Sequence, residues 1–281
     1  MGAYIFDGRA FAGKLLDMVA ARVVGLKKKG INPKLVSIIV GDDPASVLYV
    51  NLKKKAAERM GCGLLVVGCR EETKTKEIVE KIKRFNTDNT VHGIMIQLPL
   101  PERLSIEDRD QIINSISKEK DVDGLKDDSN FIAPTAKAVL EIINLAIKVT
   151  PLKVRPCKVV VIGAGGFEGR KIIRLLGKEK YHVIGLVKGA ERFEETIRTS
   201  DVVISVTGNP DLIRSDMVKE GVILIDVGSP KGDIEKEAYQ KASFVSPVPG
   251  GVGPVTIACL MENLVRAASE EAGKSYAIQN S

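Results

Sequence analysis

Tyr49 and Lys53 stand four residues apart in the segment Ser46–Lys53, SVLYVNLK, a spacing that places both side chains on one face of a helix. A flat ring beside an amine can stack a heterocycle while the amine exchanges a proton, if its surroundings lower its proton affinity. Lys53 also opens a run with Lys54 and Lys55, and such runs are usually solvated. Further on, HGIMIQLPLP (His92–Pro101) closes an apolar stretch with the amide of Gln97, followed by Leu98 and Pro99. At the carboxyl end of a strand, that amide is placed to orient a neighbouring base or ligand. Asp123, in KDVDGL (Lys120–Leu125), could accept hydrogen bonds from an amino-substituted ring or simply begin an Asp-Gly turn.

A second group of residues can bind through backbone. Gly163, Ala164, Gly165 and Gly166 follow the apolar stretch CKVVVI and precede FEGRKIIRLLG. A strand, a glycine turn and a helix in that order bring backbone amides and a helix N-terminus to a pyrophosphate. The spacing of Gly163, Gly165 and Gly169 is GxGxxxG rather than GxGxxG. After the following strand the chain reads GLVKGAERF, with Lys188 and Arg192 but no acid at the strand end. That combination suits the 2′-phosphate of NADP better than the ribose diol of NAD. SPVPGGVGPVT (Ser246–Thr256) mixes three prolines and three glycines with valines. Proline fixes φ and glycine opens other conformations, so the segment reads as one shaped loop presenting backbone to a ligand.

These residues need elements to hold them. Helical rhythm at Arg9–Lys29, Ala45–Met60 and Thr75–Phe85 alternates with strands at Lys34–Val40, Leu64–Gly68 and Gly93–Leu98, the order of a parallel sheet covered by helices. A polar stretch, Ser117–Asn130, leads to a helix near Lys137–Ile147, and the two prolines of Thr150–Pro156 mark the entry to a second unit. Strands are expected there at His182–Val187, Val202–Val206, Val222–Val227 and Ser243–Val245, and the helix Val255–Ala272 is expected to pack back on the first half. The fold class is therefore α/β, with a parallel substrate domain over residues 1–120 plus 255–281 and a Rossmann-like dinucleotide domain over 121–254.

Composition narrows the function classes. The chain has 281 residues, a net charge of +6, four cysteines without CxxC spacing and two histidines. A metal site is not expected, and free thiols suit a reducing cytoplasm. Few aromatics and modest charge argue against a nucleic-acid platform, and no apolar run is long enough to span a membrane. The N-terminus lacks the basic start and apolar core of a signal peptide.

Taken in order, GDDPASVLYVNLKKK, GIMIQLPLP, KDVDGL, the nucleotide loop, DVGSP and PVPGGVGPVT resemble the bifunctional methylenetetrahydrofolate dehydrogenase/methenyltetrahydrofolate cyclohydrolase family over nearly the whole chain. The resemblance implies a homodimer that oxidises 5,10-methylenetetrahydrofolate and hydrolyses the methenyl product to 10-formyltetrahydrofolate. It implies that Tyr49 stacks on the folate, Lys53 is the acid/base residue, Gln97 positions Lys53, and Asp123 anchors the pteridine amino group. Leu98, Pro99, Pro249, Gly250 and Gly251 would also line the substrate, the proline-glycine loop lying between folate and nicotinamide. Gly163–Gly166, Lys188, Arg192, Gly228 and Ser229 would hold the cofactor. The chain departs from the family at Gly163-Ala164-Gly165, where relatives carry Gly-Arg-Ser, and at Val187-Lys188, so Lys188 would supply the missing charge. It departs also at Ser229-Pro230 and at Ala133–Ala138. Two other readings remain open: a shikimate dehydrogenase-like oxidoreductase, suggested by GAGGFEGR, and a non-catalytic dinucleotide sensor.

Overall fold

The computed structural model describes residues 2–150 and 157–279. The chain runs β1 (Tyr4–Ile5), α1 (Gly8–Lys27), β2 (Lys34–Val40), α2 (Pro44–Met60), β3 (Gly63–Cys69), α3 (Thr75–Thr87), β4 (Gly93–Ile96) and α4 (Ile106–Asn114). It continues with α5 (Pro134–Val149), β5 (Lys158–Ile162), α6 (Phe167–Lys178), β6 (His182–Leu186), α7 (Phe193–Arg198), β7 (Val202–Ser205), β8 (Val222–Asp226), β9 (Ala242–Ser246) and α8 (Val252–Gln279). Of the expected entry segment Thr150–Pro156, residues 151–156 lie outside the described residues.

The chain divides into two compact units: Gly13–Pro134 with Ile257–Ser281, and Met1–Ala12 with Thr135–Thr256. The first holds a three-stranded parallel sheet in the order β3-β2-β4. β2 is its middle strand and is buried from Leu35 to Val40, which is why KLVSIIV reads as a continuous apolar run rather than an alternating one. α8 packs into this unit: a Cβ on Gly93 would meet Leu264 at 3.0 Å, and Asn263 Nδ2 donates to the carbonyls of Val122 and Ile132 at 2.9 Å each.

The second unit holds a six-stranded sheet in the order β1-β9-β8-β7-β5-β6, parallel throughout. The first strand of the Rossmann-like part, β5, has β6 on one side and β7 on the other. The chain therefore reverses its direction of growth between β5 and β7, where open sheets of this kind bind their ligands. Val160, Ile162, Val203, Leu224 and Val245 fill the core beneath.

Two boundaries differ from the sequence expectation of 1–120 plus 255–281 against 121–254. The N-terminal residues belong with the six-stranded sheet, because β1 pairs with β9, Tyr4 opposite Phe244 and Ile5 opposite Val245. Residues 121–134 belong with the three-stranded sheet, because Ile94 N donates to Lys120 O at 2.7 Å and Ile94 bridges Asp121. Three elements lie outside the sequence expectation, among them the six-residue helix α7, too short to show a helical period. β1 has only two residues, too few to show a period, and α4 is a nine-residue helix capped by Ser105, whose hydroxyl accepts from Asp108 N.

Candidate active site

In the first unit the chemistry converges on α2. The helix begins at Asp43, whose carboxylate accepts from Ser46 N at 2.8 Å, with Pro44 in its first turn, and ends at Gly61 in the left-handed conformation. These are the ordinary start and stop signals of a helix, and they fix the rotation of the turn that carries Tyr49 and Lys53. Lys54 and Lys55 are exposed, whereas Lys53 is half-buried. The lysine run is thus not uniform: one of its three members turns inward.

Lys53 Nζ donates to Gln97 Oε1 at 2.9 Å. Gln97 is buried, its backbone N–H continues the β2–β4 ladder to Ile38 O at 2.8 Å, and its Nε2 donates to Leu98 O at 2.8 Å. The amide nitrogen is committed to a carbonyl, so the amide oxygen must face the lysine. This arrangement allows Lys53 to give one N–H to Gln97 in either protonation state. A neutral amine so held keeps its lone pair for other work. Leu98 is half-buried and Pro99 exposed, where the chain leaves β4.

Asp123 belongs to the same environment. Burial pushes its carboxyl above the ordinary aspartate value, against the pull of the Lys53 charge and with Asp121 adding to the rise. Its loop is braced by two residues that sequence reasoning did not single out. Asp121 is fully buried and accepts from Leu125 N and Lys126 N at 3.0 and 2.9 Å. Asn263 ties both limbs of the loop through Val122 O and Ile132 O. Asp121 shares the KDVDGL motif, but nothing near Asn263 in sequence marks it. The Asp-Gly turn is also present, with Gly124 at φ +60° and its N–H on Asp121 O.

In the second unit the glycine loop joins β5 to α6. Gly163 has φ +96°, and its N–H and that of Ala164 both donate to Leu186 O, at 3.0 and 3.1 Å. A Cβ on Gly169 would overlap Gly163 O and stand 2.8 Å from Gly163 C. The third glycine therefore performs the close helix–turn packing expected of a dinucleotide loop, although it comes one residue late. Gly165 and Gly166 are exposed at the loop's tip, leaving the α6 N-terminus open to an anion.

The neighbouring loops are held by two buried acids. Asp226 accepts from Gly228 N, Asp233 N and Ile234 N at 2.9, 3.1 and 3.0 Å. Asp233 Oδ2 accepts from Ser205 Oγ, Thr207 N and Thr207 Oγ1 at 2.8, 2.7 and 2.9 Å. Together they fix the segments that leave β7 and β8, placing Gly228 in a buried position and Ser229 at the surface. Asp233 was not identified from sequence, since an acid in KGD reads locally as a turn residue.

Lys188 and Arg192 differ in state. Both are exposed, and no ion pair or hydrogen bond engages the Lys188 side chain among the described residues. Arg192 forks onto Glu195 with contacts of 2.7 and 2.6 Å. Pro249, Gly250 and Gly251 follow β9 in the same unit, Gly251 N donating to Pro247 O at 2.9 Å.

The fold and these two constellations define a two-unit α/β protein with a dinucleotide loop in one unit and a lysine–glutamine–aspartate group in the other. Residues 6–123 match the catalytic domain of tetrahydrofolate dehydrogenase/cyclohydrolase, and residues 133–272 match its NAD(P)-binding domain. The chain belongs to the tetrahydrofolate dehydrogenase/cyclohydrolase family. It is 36% identical to the bifunctional protein FolD of Bacillus subtilis, over 95% of this chain and 98% of the relative. It superposes on the Campylobacter jejuni bifunctional enzyme FolD with a TM-score of 0.87 and 36% identity, covering 95% and 99% of the two chains. The Trypanosoma brucei enzyme, determined with NADP cofactor and inhibitor, gives 0.88 and 29% identity over 97% and 99%.

Proposed function

We propose that this protein is a bifunctional enzyme of one-carbon metabolism. It oxidises 5,10-methylenetetrahydrofolate with NADP and hydrolyses the resulting 5,10-methenyl compound to 10-formyltetrahydrofolate. Family membership supports this over the shikimate dehydrogenase-like alternative. The Lys53–Gln97 bond argues against a mere sensor, because binding a dinucleotide needs no such pair.

The glycine loop fits the cofactor: Gly163 and Gly169 bring backbone close at the head of α6, where amides meet a pyrophosphate. Bound there, NADP supplies the acceptor for the hydride that leaves the methylene carbon. Lys188, at the end of β6, pairs with the 2′-phosphate in this reading, and Gly228 and Ser229 complete the cofactor's surroundings. Tyr49 stacks on the folate, while Leu98, Pro99 and the Pro249–Gly251 segment line it. Asp123 accepts hydrogen bonds from the pteridine amino group.

Loss of the hydride leaves a cationic, electrophilic methenyl carbon. Hydrolysis then needs a proton taken from the attacking water and a proton returned to the departing ring nitrogen. Lys53 is suited to both, since its Nζ is fixed by Gln97 Oε1 at 2.9 Å and an amine held in place can act first as base and then as acid.

The homodimer is also part of the proposal. β3 is an edge strand, and it and α2 expose Leu65, Val66, Val47, Leu48 and Leu52, an edge that pairing with a second copy would cover. A cytoplasmic location fits four free, buried cysteines and the finding that no described helix is long and apolar enough to cross a membrane.

The deciding experiment is reduced-cofactor formation on 5,10-methylenetetrahydrofolate with NADP and NAD in parallel. Turnover favouring NADP is expected. Turnover with NAD alone would reverse the cofactor assignment, and none with either would overturn the dehydrogenase.

A further inference from the structure

The first turn of α1 and the proline-glycine loop are built against each other. β1 delivers the chain alongside β9, and Phe6 N continues the ladder to Val245 O at 2.8 Å. The Phe6 ring is buried against Phe11 and Phe244, with centroids 5.6 and 5.9 Å away. Asp7 then starts the helix, its Oδ1 accepting from Arg9 N and Ala10 N at 3.0 Å each. Gly8 is thereby set beside the loop that leaves β9.

A Cβ on Gly8 would overlap Gly251 O and stand 2.5 Å from Gly250 O and 2.7 Å from Gly251 C. All three are backbone atoms and cannot rotate aside. The loop is also closed on its other side, since a Cβ on Gly251 would stand 2.5 Å from Pro247 O. Gly8 lies within a helix and not in the left-handed region. What the position requires is therefore the missing side chain rather than unusual backbone freedom. Elsewhere in α1, Gly25 is exposed and a Cβ there would meet nothing within 4 Å.

We propose that Gly8 is a positioning residue for the reaction: by admitting the carbonyls of Gly250 and Gly251 against α1, it sets where Pro249–Gly251 stands. The inference rests on the reading that this segment lines the site between folate and nicotinamide. Hydride transfer needs both ligands aligned, whereas hydrolysis needs only the folate, so a displaced loop acts first on the dehydrogenase.

Gly8→Ala and Gly25→Ala are compared with the wild-type enzyme in both assays, with thermal melting alongside. Alanine is the better helix former, so a purely local effect would leave both variants as active as wild type. Gly8→Ala is expected to lower dehydrogenase kcat about 100-fold at saturating ligands, as misplacement by about an ångström can. Cyclohydrolase activity falls less than about tenfold, and Gly25→Ala matches wild type. If Gly8→Ala does not melt cooperatively, Asp7→Ala loosens the same turn without adding an atom, and a smaller loss with the same selectivity is expected. Equal loss of both activities, or none, would overturn the inference. A wild-type enzyme inactive in both assays would instead overturn the functional reading beneath it.

Discussion

The two units hold their candidate groups by different means. Around Lys53 the reactive groups are side chains: the Gln97 amide fixes the amine, the backbone carbonyl of Leu98 fixes that amide, and Asp123 shares the amine's field. In the nucleotide unit, backbone is the working surface and buried acids hold it, Asp226 and Asp233 each accepting three bonds from the loops they set. In the proposed function, the first arrangement concentrates the chemistry in a few atoms. The second spreads it over a surface whose shape matters more than any one group.

The contrast is broken most sharply at Lys53. Lys53→Met keeps much of the stem and removes the amine, so cyclohydrolase activity is expected to fall by about 10²- to 10⁴-fold, the usual contribution of a positioned acid/base group. The dissociation constant for NADP, measured by fluorescence titration, should not change. A variant that still hydrolyses the methenyl substrate at the wild-type rate would remove Lys53 from the mechanism. Gly169→Ala is the complementary test. Its Cβ would overlap Gly163 O, and overpacking of about 1–3 kcal/mol directed at the loop corresponds to roughly 5- to 150-fold weaker NADP binding. Cyclohydrolase activity, which uses no dinucleotide, should survive. Loss of both activities together would mean that the two halves are not separable.

The same contrast explains what could be read in advance. The strands were legible because central parallel strands are buried on both faces and so read as nearly continuous apolar runs, as Leu35–Val40 (interrupted only by Ser37) and Val159–Ile162 do. Tyr49 and Lys53 stand out in the sequence by their spacing of four, and Gln97 as a polar amide closing an apolar strand; the structure adds the Lys53–Gln97 hydrogen bond. The spacing of four picks Lys53 out of the run but does not say whether that face is buried; packing around α2 half-buries Lys53 and leaves Lys54 and Lys55 exposed. Asp121, Asp233 and Asn263 were not legible as braces. Each meets partners that only tertiary folding supplies, Asn263 across 141 residues from Val122. β1 escaped for the same reason, since two residues gain strand geometry only by pairing with β9.

Asp123 sharpens the comparison from the side of stability. Burial raises its carboxyl above the ordinary value. The sign follows directly: a raised folded-state value favours the protonated form, so this group's contribution is fully present below the unfolded value and is lost as pH rises through the folded one. Lys53 opposes the shift and Asp121 adds to it. Asp123→Asn is isosteric and removes the titration. Its melting temperature relative to wild type should therefore increase from acid toward neutral pH, while folate binding weakens. An unchanged difference across that range would show that Asp123 carries no stored cost.

The smallest effects separate Lys188 from Arg192, both of which the sequence offers to the 2′-phosphate. A phosphate held at an exposed site by one ammonium gains about 1 kcal/mol or less in water, so Lys188→Ala should weaken NADP about fivefold at most and leave NAD unaffected. Arg192 already spends its fork on Glu195, so Arg192→Ala should alter neither cofactor's KM. Glu195→Ala then decides between structure and mere exposure. If it tightens NADP, and does so only while Arg192 is present, the guanidinium was withheld by its partner and not by distance. If Arg192→Ala alone weakens NADP as much as Lys188→Ala does, the phosphate outcompetes Glu195. Both bases would then belong to the cofactor's surroundings, as the residue types first suggested.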